Sequence, residues 1–233
     1  MKKVTLRNWK KYTFEFLSIF IAVISAFALN KWNEDRNNRN AESKILFEIY
    51  NGLEKDLEDA RSNINGHKMG IKAVDYFRNL IANKPVSIDS LMIYYFYLTR
   101  DFISIQNTSG YETLKSRGFE LIDNDSLRTE IIALYEYDYN NLKKLEEDYY
   151  ELQFQENYFK EINRTISKNI KFNKDKRIIG INVPLNIMRN EEKEILIYLW
   201  KIQANRKFIL QNYAEIESKI KKLRADIKNE LKR

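Results

Sequence analysis

The sequence predicts an all-α protein, in which a single N-terminal transmembrane helix is followed by an antiparallel bundle of long helices with coiled-coil character. Three observations support this prediction. The one strongly apolar run lies near the N-terminus of the 233-residue chain, apolar residues elsewhere recur at three- and four-residue steps, and there are only six glycines and two prolines. We therefore divide the chain into a basic flank (1–11), a membrane helix (12–32) and a helical domain (33–233).

The membrane helix is predicted from Tyr12 to Trp32. At about 1.5 Å per residue this stretch is long enough to cross a hydrocarbon core of about 30 Å. Its terminal aromatics suit the interface, and flanking lysines can reach the headgroups. Two alternatives stay open. Ala26-Phe27-Ala28 fits the A-x-A cleavage site of a signal peptide, and the run also matches the length of a core helix in a soluble protein.

Small and polar residues share one face of this predicted helix. They are Glu15, Ser18, Ala22, Ser25, Ala26 and Asn30. Small residues at every fourth position allow two membrane helices to approach closely, so this face is a candidate surface for self-association. A carboxyl group inside a bilayer is costly. Glu15 therefore either pairs with Lys11 near the headgroups or lines a helix–helix contact or a polar path.

Composition and motifs give no support for an enzyme. The absence of cysteine excludes disulfides, thiolate metal sites and cysteine catalysis. The chain has no phosphate-binding loop, no H-E-x-x-H and no G-x-S-x-G motif. His67, the one histidine, falls on an apolar face, so we interpret it as a core residue rather than a metal ligand. We expect no catalytic residues and no cofactor. Part of the net charge of +7 belongs to the N-terminal flank, which weakens the case for nucleic-acid binding.

The first domain helix is predicted from an apolar face that recurs from Ile45 to Ile81, after a polar stretch at 33–44. Asn83-Lys84-Pro85 should end it, because proline cannot continue a helix. The next segment, residues 90–100, is apolar nearly all round. We therefore expect it in the interior of the bundle.

A short helix is predicted between Ile105 and Gly118, with Ser109 and Glu112 as its capping box. Asn107, Thr108 and Ser109 either serve as an ordinary turn and cap or present free backbone amides to an anion. Residues 123–126 then begin another predicted helix of about 40 residues, judged from the apolar spacing that continues to Ile166.

Residues 168–190 are predicted to be an irregular connection, with a short extended piece. It contains a basic run, Lys168, Lys171, Lys174, Lys176 and Arg177. This run is either a solvated loop or a contact surface for lipid headgroups or nucleic acid. The final helix should begin at Asn190 and carries an apolar stripe from Ile195 to Ile227, with Arg206 as its one poor fit. The heptad spacing predicts a coiled-coil seam, formed with the Ile45–Ile81 helix or with a second subunit.

Two stretches resemble an uncharacterised family of small single-span bacterial membrane proteins. The first is an N-x-W-N-E-x-R motif at the end of the span, formed by Asn30, Trp32, Asn33, Glu34 and Arg36. The second is NTSGYETLKSRG, residues 107–118, followed by Leu121 and Ile122. The resemblance implies a Gram-negative inner-membrane location and a helical domain, and it supplies no activity.

The sequence thus predicts a non-enzymatic, membrane-anchored interaction, scaffold or sensor module. We expect its partners to be the lipid bilayer, a second copy of the chain and a further protein that the sequence does not identify. Basic residues near the span slightly favour a periplasmic domain. The alternatives are a membrane-perturbing or pore-forming effector that uses the face of Glu15, and contact of the basic run with nucleic acid or lipid headgroups.

Overall fold

A computed structural model describes residues 9–232 and confirms the all-α class, with a two-stranded sheet as the one addition. Most of the predicted basic flank, residues 1–8, lies outside the described residues. Helix α1 runs from Trp9 to Ile81 without a break. Its 73 residues correspond to a rod of about 110 Å, so the apolar N-terminal run and the first domain helix are a single element.

Helix α7 (Arg189–Glu230) packs antiparallel along the domain half of α1. Side-chain pairs along the two helices give the direction. Arg78, near the end of α1, donates to Gln203 in the first half of α7 at 2.7 Å. Glu54, farther back in α1, pairs with Arg224 near the end of α7. A residue of α1 and a residue of α7 therefore lie at the same height along the pair when their residue numbers add up to about 280.

The predicted apolar faces of these two helices are the buried faces. In α1 the face from Ile45 to Ile81 is buried, except that Ile64 and Ile71 are only half-buried. In α7 every residue of the predicted stripe is buried. Arg206, the poor fit in that stripe, is buried with them and has no exposed surface.

Helix α2 (Leu91–Leu98) corrects the prediction that this segment lies in the interior. Only its first and last residues are buried, whereas Met92, Ile93 and Phe96 are about half exposed. The helix has only two turns and lies against the end of α1, so one face is covered and the other faces outward. The end of α1 agrees with the prediction, since Asn83 adopts a left-handed conformation there.

The predicted helix of about 40 residues after position 123 is wrong as one element, because the chain breaks near residues 148–153. Its start is as predicted, with the Asn124 side chain accepting from the N–H of Leu127. The break forms because Asp101, distant in sequence, accepts from the N–H of Phe154 at 2.7 Å and so caps a new helix. The elements are α3 (Ser109–Arg117), α4 (Asp125–Ile132), a π-helical turn (Ala133–Asp138), α5 (Tyr139–Glu147) and α6 (Phe154–Ser167), with 3-10 turns at Ile88–Ser90, Phe119–Leu121 and Tyr150–Leu152.

The predicted irregular connection contains an antiparallel hairpin, β1 (Ile170–Phe172) and β2 (Ile178–Ile181). Its base is fixed by Asn169, which is fully buried. The backbone oxygen of Asn169 accepts from the N–H of Asn182 at 2.8 Å, and its side-chain oxygen accepts from the N–H of Asn186 at 2.7 Å. Helix α7 begins at Arg189, three residues after Asn186.

Candidate functional site

Most buried polar side chains of the domain surround one segment, residues 100–108, which joins α2 to α3 and which we call the strap. The strap has no regular secondary structure and runs antiparallel to α1, with Phe102 against Gly66 and Asn107 against Gly52. A segment without helix or sheet partners must find other acceptors for its backbone N–H groups when it packs against a protein surface.

Three carboxylates supply those acceptors. The N–H of Ser104 donates to Glu146 at 2.9 Å, and the Ser104 hydroxyl donates to the same oxygen at 2.7 Å. The N–H of Ile105 donates to Asp59 at 3.0 Å. Tyr213 also donates its hydroxyl to Glu146. Because the acceptors come from α1 and α5 together, the strap is fastened between two helices.

The third carboxylate, Asp56, lies on the buried face of α1. It accepts from the N–H of Asn107 at 2.6 Å and from the Tyr139 hydroxyl at 2.7 Å. Burial raises the pKa of Asp56 to about 6, although the hydrogen bond from Asn107 opposes the increase. Burial also raises the pKa of Glu146. At neutral pH a pKa of about 6 leaves Asp56 mainly ionised, and donors of the chain itself bind both carboxylates.

Helical glycines allow the strap and Arg206 to approach α1 closely. A Cβ atom added at Gly66 would lie 2.3 Å from Cε1 of Phe102. A Cβ atom added at Gly70 would lie 2.3 Å from Nε of Arg206. Both distances are far below normal contact, so these two positions of α1 form the groove that receives the two side chains.

Arg206 binds the end of α2 and the start of the strap. Its Nη2 lies 3.1 Å from the backbone oxygens of Tyr97 and Leu98 and 2.9 Å from that of Arg100. Its Nη1 donates to Nδ1 of His67 at 3.0 Å. The last carbonyls of a helix carry partial negative charge and lack intrahelical donors. A cation at this position therefore satisfies groups that would otherwise be buried without partners.

Aromatic rings surround this cation, and the carboxylate of Asp101 is close enough to stabilise its charge. The Phe154 ring centroid lies 4.1 Å from the guanidinium carbon of Arg206. Burial lowers the pKa of Arg206 to about 9, which leaves it charged at neutral pH. Burial lowers the pKa of His67 to about 3, so His67 is neutral. Because its Nδ1 accepts a hydrogen bond, the proton sits on Nε2, which is buried and has no hydrogen-bond partner among the described residues. The rings of Phe102 and Tyr213 lie beside the imidazole, with centroids 5.1 and 5.8 Å away.

This arrangement positions a segment of the chain. His67 is a buried core residue, as interpreted from the sequence. Within residues 9–232, no three His, Asp or Glu side chains converge as the ligands of a metal ion would. The carboxylates and the guanidinium all bind backbone groups of the strap or of the helix before it.

The three residues predicted as a turn or anion site lie where the strap meets α3. The N–H of Asn107 is bound by the chain's own Asp56. The hydroxyl of Ser109 donates to the Asn107 side chain at 3.0 Å. The predicted capping box does not form, because α3 begins at Ser109, and Thr108 precedes it without a side-chain cap.

The predicted membrane face and the motif after it lie along α1, and all their residues are exposed. Glu15 is 3.9 Å from Lys11, one turn earlier. The guanidinium of Arg36 lies over the Trp32 ring at 5.8 Å. Helix α1 is long and apolar enough to cross a membrane by length and composition, and the rest of the described chain buries none of its apolar window. The residues concerned are Glu15, Ser18, Ala22, Ser25, Ala26, Asn30, Trp32, Asn33, Glu34 and Arg36.

The predicted basic run divides into two parts. Lys168, at the end of α6, pairs with Glu191 of α7 at 2.5 Å. The other four residues, Lys171, Lys174, Lys176 and Arg177, are exposed on the β1–β2 hairpin. Four residues of the basic run therefore belong to the exposed hairpin, and the fifth forms an ion pair at the base of the hairpin.

Sequence reasoning missed the strap carboxylates and the role of Arg206. Two signals in the sequence point to them. Asp56 and Arg206 are charged residues on otherwise apolar helix faces, and Gly66 and Gly70 are glycines inside a helix, where they cost stability unless something approaches closely.

A comparison with models of protein families, with curated proteins and with solved structures found no match to this chain. The resemblance of the stretch around Trp32 to a family of single-span membrane proteins therefore stays a prediction. Function has to be argued from the geometry of the chain itself.

Proposed function

We propose that this chain is a non-enzymatic, membrane-anchored scaffold that self-associates through its span and holds a helical domain away from the bilayer. The observation that most supports this is the exposed apolar length of α1. Phe14 and Phe27 are 72% and 73% exposed, and the residues between them are exposed on every side of the helix. Apolar surface of this extent is unfavourable in water, and a bilayer covers it completely.

The continuity of α1 favours a retained anchor over the two alternatives. A core helix would be covered by its own domain, whereas the first buried residue of α1 is Ile45. A signal peptide cleaved after Ala28 would divide an unbroken helix that extends to Ile81. Both points support a helix that spans the membrane and continues directly into the domain.

The stretch between Trp32 and Ile45 acts as a stalk in this proposal. It is helical and exposed or half-buried up to Lys44, and its 12 residues correspond to about 18 Å. The domain is thereby held clear of the headgroups. We place the anchor in a bacterial inner membrane and the domain in the periplasm, with α1 and α7 as the coiled-coil seam of a helical bundle.

Self-association is proposed for the face that contains Ser18, Ala22 and Ala26. No residue of the described chain covers this face, and its small side chains permit close helix packing. Glu15 lies beside it and is 3.9 Å from Lys11, an arrangement that suits a position near the headgroups rather than a polar path.

The anchor is tested by topology and processing. A reporter that is active only outside the cytoplasm and one that is active only inside are fused after Arg233, and the N-terminus is followed by immunoblot. Activity outside from a full-length, membrane-bound protein is the expected result. A protein shortened at Ala28 and released from the membrane would contradict the proposal.

Self-association is tested by cross-linking, which is simple because the chain has no cysteine. Ser25→Cys places one thiol on the small-residue face, and oxidation in membranes should give a disulfide-linked dimer. Adding Ala22→Ile and Ala26→Ile should reduce the dimer at least fivefold. The matched control, Val23→Phe with Ile24→Phe, adds volume outside this face and should leave it unchanged. Equal cross-linking in both variants would refute a role for the small-residue face.

A further inference from the structure

The β1–β2 hairpin combines exposed positive charge with exposed apolar side chains. From Lys171 to Ile181 the chain has four basic residues, with Asp175 as the one acidic residue. Between and beside the basic residues, Phe172 is 54% exposed and Ile179 is 61% exposed. Phe172 is also the cross-strand partner of Ile178, so two apolar side chains lie on one face near the tip.

The domain holds this hairpin in place. Asn169 fixes its base through the two backbone hydrogen bonds described above, and Lys168 pairs with Glu191 beside it. On the inner side, Ile181 is buried, and Gly180 packs against Ile88. The exposed tip is therefore presented outward by a rigid base.

The hairpin lies at the end of the molecule opposite the span. Glu191, at its base, is level with positions just beyond the end of α1 at Ile81, given the antiparallel register of α1 and α7. From Trp32 to Ile81 the helix rises about 74 Å. With α1 along the bilayer normal, that distance is far greater than the Debye length of about 8–10 Å, so the membrane that holds the span does not attract the hairpin.

The composition of the tip favours a lipid surface over nucleic acid. Basic side chains suit either partner, because both present phosphates. The aliphatic side chains of Ile178 and Ile179 gain nothing from a phosphate backbone. They gain from insertion at the boundary between headgroups and acyl chains, as on other amphipathic segments that bind membrane surfaces.

We propose that the β1–β2 hairpin docks on an anionic lipid surface of a second membrane, so that the chain tethers two bilayers. This inference rests on the proposed anchor, because a tether needs both ends. Lys171, Lys174, Lys176 and Arg177 attract the anionic surface, and Phe172 and Ile179 insert into it. The rod of α1 sets the distance between the two bilayers.

The test uses the full chain reconstituted into donor vesicles of phosphatidylcholine. Fluorescent acceptor vesicles contain either phosphatidylcholine alone or a mixture with phosphatidylglycerol, and acceptor captured by sedimented donors is measured. We expect capture of the anionic acceptor only. Each basic residue near an anionic surface contributes a factor of about five in binding, so changing the four basic residues to Gln should lower the apparent affinity more than about 100-fold.

Two further variants separate the contributions. Phe172→Ser with Ile179→Ser keeps all charges and should also reduce capture, by at least fivefold. The charge-matched control replaces four exposed lysines elsewhere on the domain by Gln, and it should retain capture. The lysines in this control are Lys55, Lys68, Lys72 and Lys207.

Protein that does not co-sediment with the donor vesicles refutes the anchor, whereas sedimented donors that carry the protein but capture no anionic acceptor refute the hairpin proposal alone. Equal loss in the charge-matched control would mean that net charge, not the hairpin, causes capture. Double-stranded DNA that abolishes capture, combined with an unaffected Phe172→Ser, Ile179→Ser variant, would overturn the proposal in favour of nucleic acid. Clustering of donors without acceptor would assign the hairpin to a second copy of the chain.

Discussion

Replacement of Arg206 by Met tests whether the buried cation stabilises the fold. Met is similar in length and fills much of the volume, but it cannot donate hydrogen bonds. The change leaves the backbone oxygens of Tyr97, Leu98 and Arg100 without the donor that now lies 2.9–3.1 Å away. A buried polar group left unpaired costs about 1–3 kcal/mol.

The desolvation of the guanidinium works in the opposite direction, since burial lowers the pKa of Arg206 to about 9. Removing the charge recovers that cost. Three unpaired oxygens at the upper end of this range cost about 7–9 kcal/mol together, and lowering the pKa from 12.5 to about 9 corresponds to a recovery of about 5 kcal/mol. The free energy of unfolding should therefore fall by about 2–4 kcal/mol. For a domain of this size the melting temperature should fall by about 10 °C.

The assay is urea unfolding of the full chain in detergent micelles, followed by far-UV circular dichroism at pH 7. Lys207→Met is the matched control, because Lys207 is the next residue of α7 and is exposed. It should change the free energy of unfolding by less than about 0.5 kcal/mol. If Arg206→Met unfolds within about 1 kcal/mol of the wild-type protein, then desolvation cancels the hydrogen bonds, and our account of Arg206 fails.

Two other substitutions test the strap. Burial raises the pKa of Asp56 from 3.8 to about 6, so the carboxyl group binds a proton more tightly in the folded state than in the unfolded chain. The stabilisation of the folded state by this proton is fully present below pH 3.8 and is lost as the pH rises through 6. The wild-type protein should therefore gain about 2–3 kcal/mol relative to Asp56→Asn between pH 7 and pH 4, and parallel pH profiles from urea titrations would contradict this. Gly66→Ala should lower the free energy of unfolding by about 1–3 kcal/mol, because its Cβ would lie 2.3 Å from Phe102. In a Phe102→Ala background the same change should raise the free energy of unfolding by up to about 1 kcal/mol, because alanine is the better helix former. Thermal unfolding of the four proteins of this cycle measures the difference, and equal effects in both backgrounds would exclude the steric explanation.

The long helices were predictable because their signal is local and repeated. The faces of α1 and α7 contain apolar residues at every turn, and such a pattern has one interpretation over many residues. The ends were predictable where a residue type enforces them, as at Asn83 and Pro85. Even the misfit of Arg206 was visible as a charge within an apolar stripe.

The strap, the break before α6 and the position of α2 were not predictable, because each depends on residues distant in sequence. Asp101 caps Phe154 across more than fifty residues. Asp56 binds Asn107 across a similar interval. No local sequence pattern indicates such pairs. The apolar spacing continues through residues 148–153 and therefore predicts one helix, whereas the structure has two helices, α5 and α6.

The two forms of the proposed function, a scaffold and a sensor, make different demands on the strap. Because α1 is one rod, any rotation of the span reaches Asp56 and Gly66 directly, and a sensor could use this only if the strap had a second stable arrangement. Such an arrangement would have to replace the acceptors of three strap N–H groups and the donors that Arg206 supplies to three backbone oxygens. Unpaired buried groups cost about 1–3 kcal/mol each, which places a released strap far above the fastened one. A fastened strap makes the domain a rigid continuation of α1, and rigidity is what a scaffold that sets a fixed distance from the membrane requires.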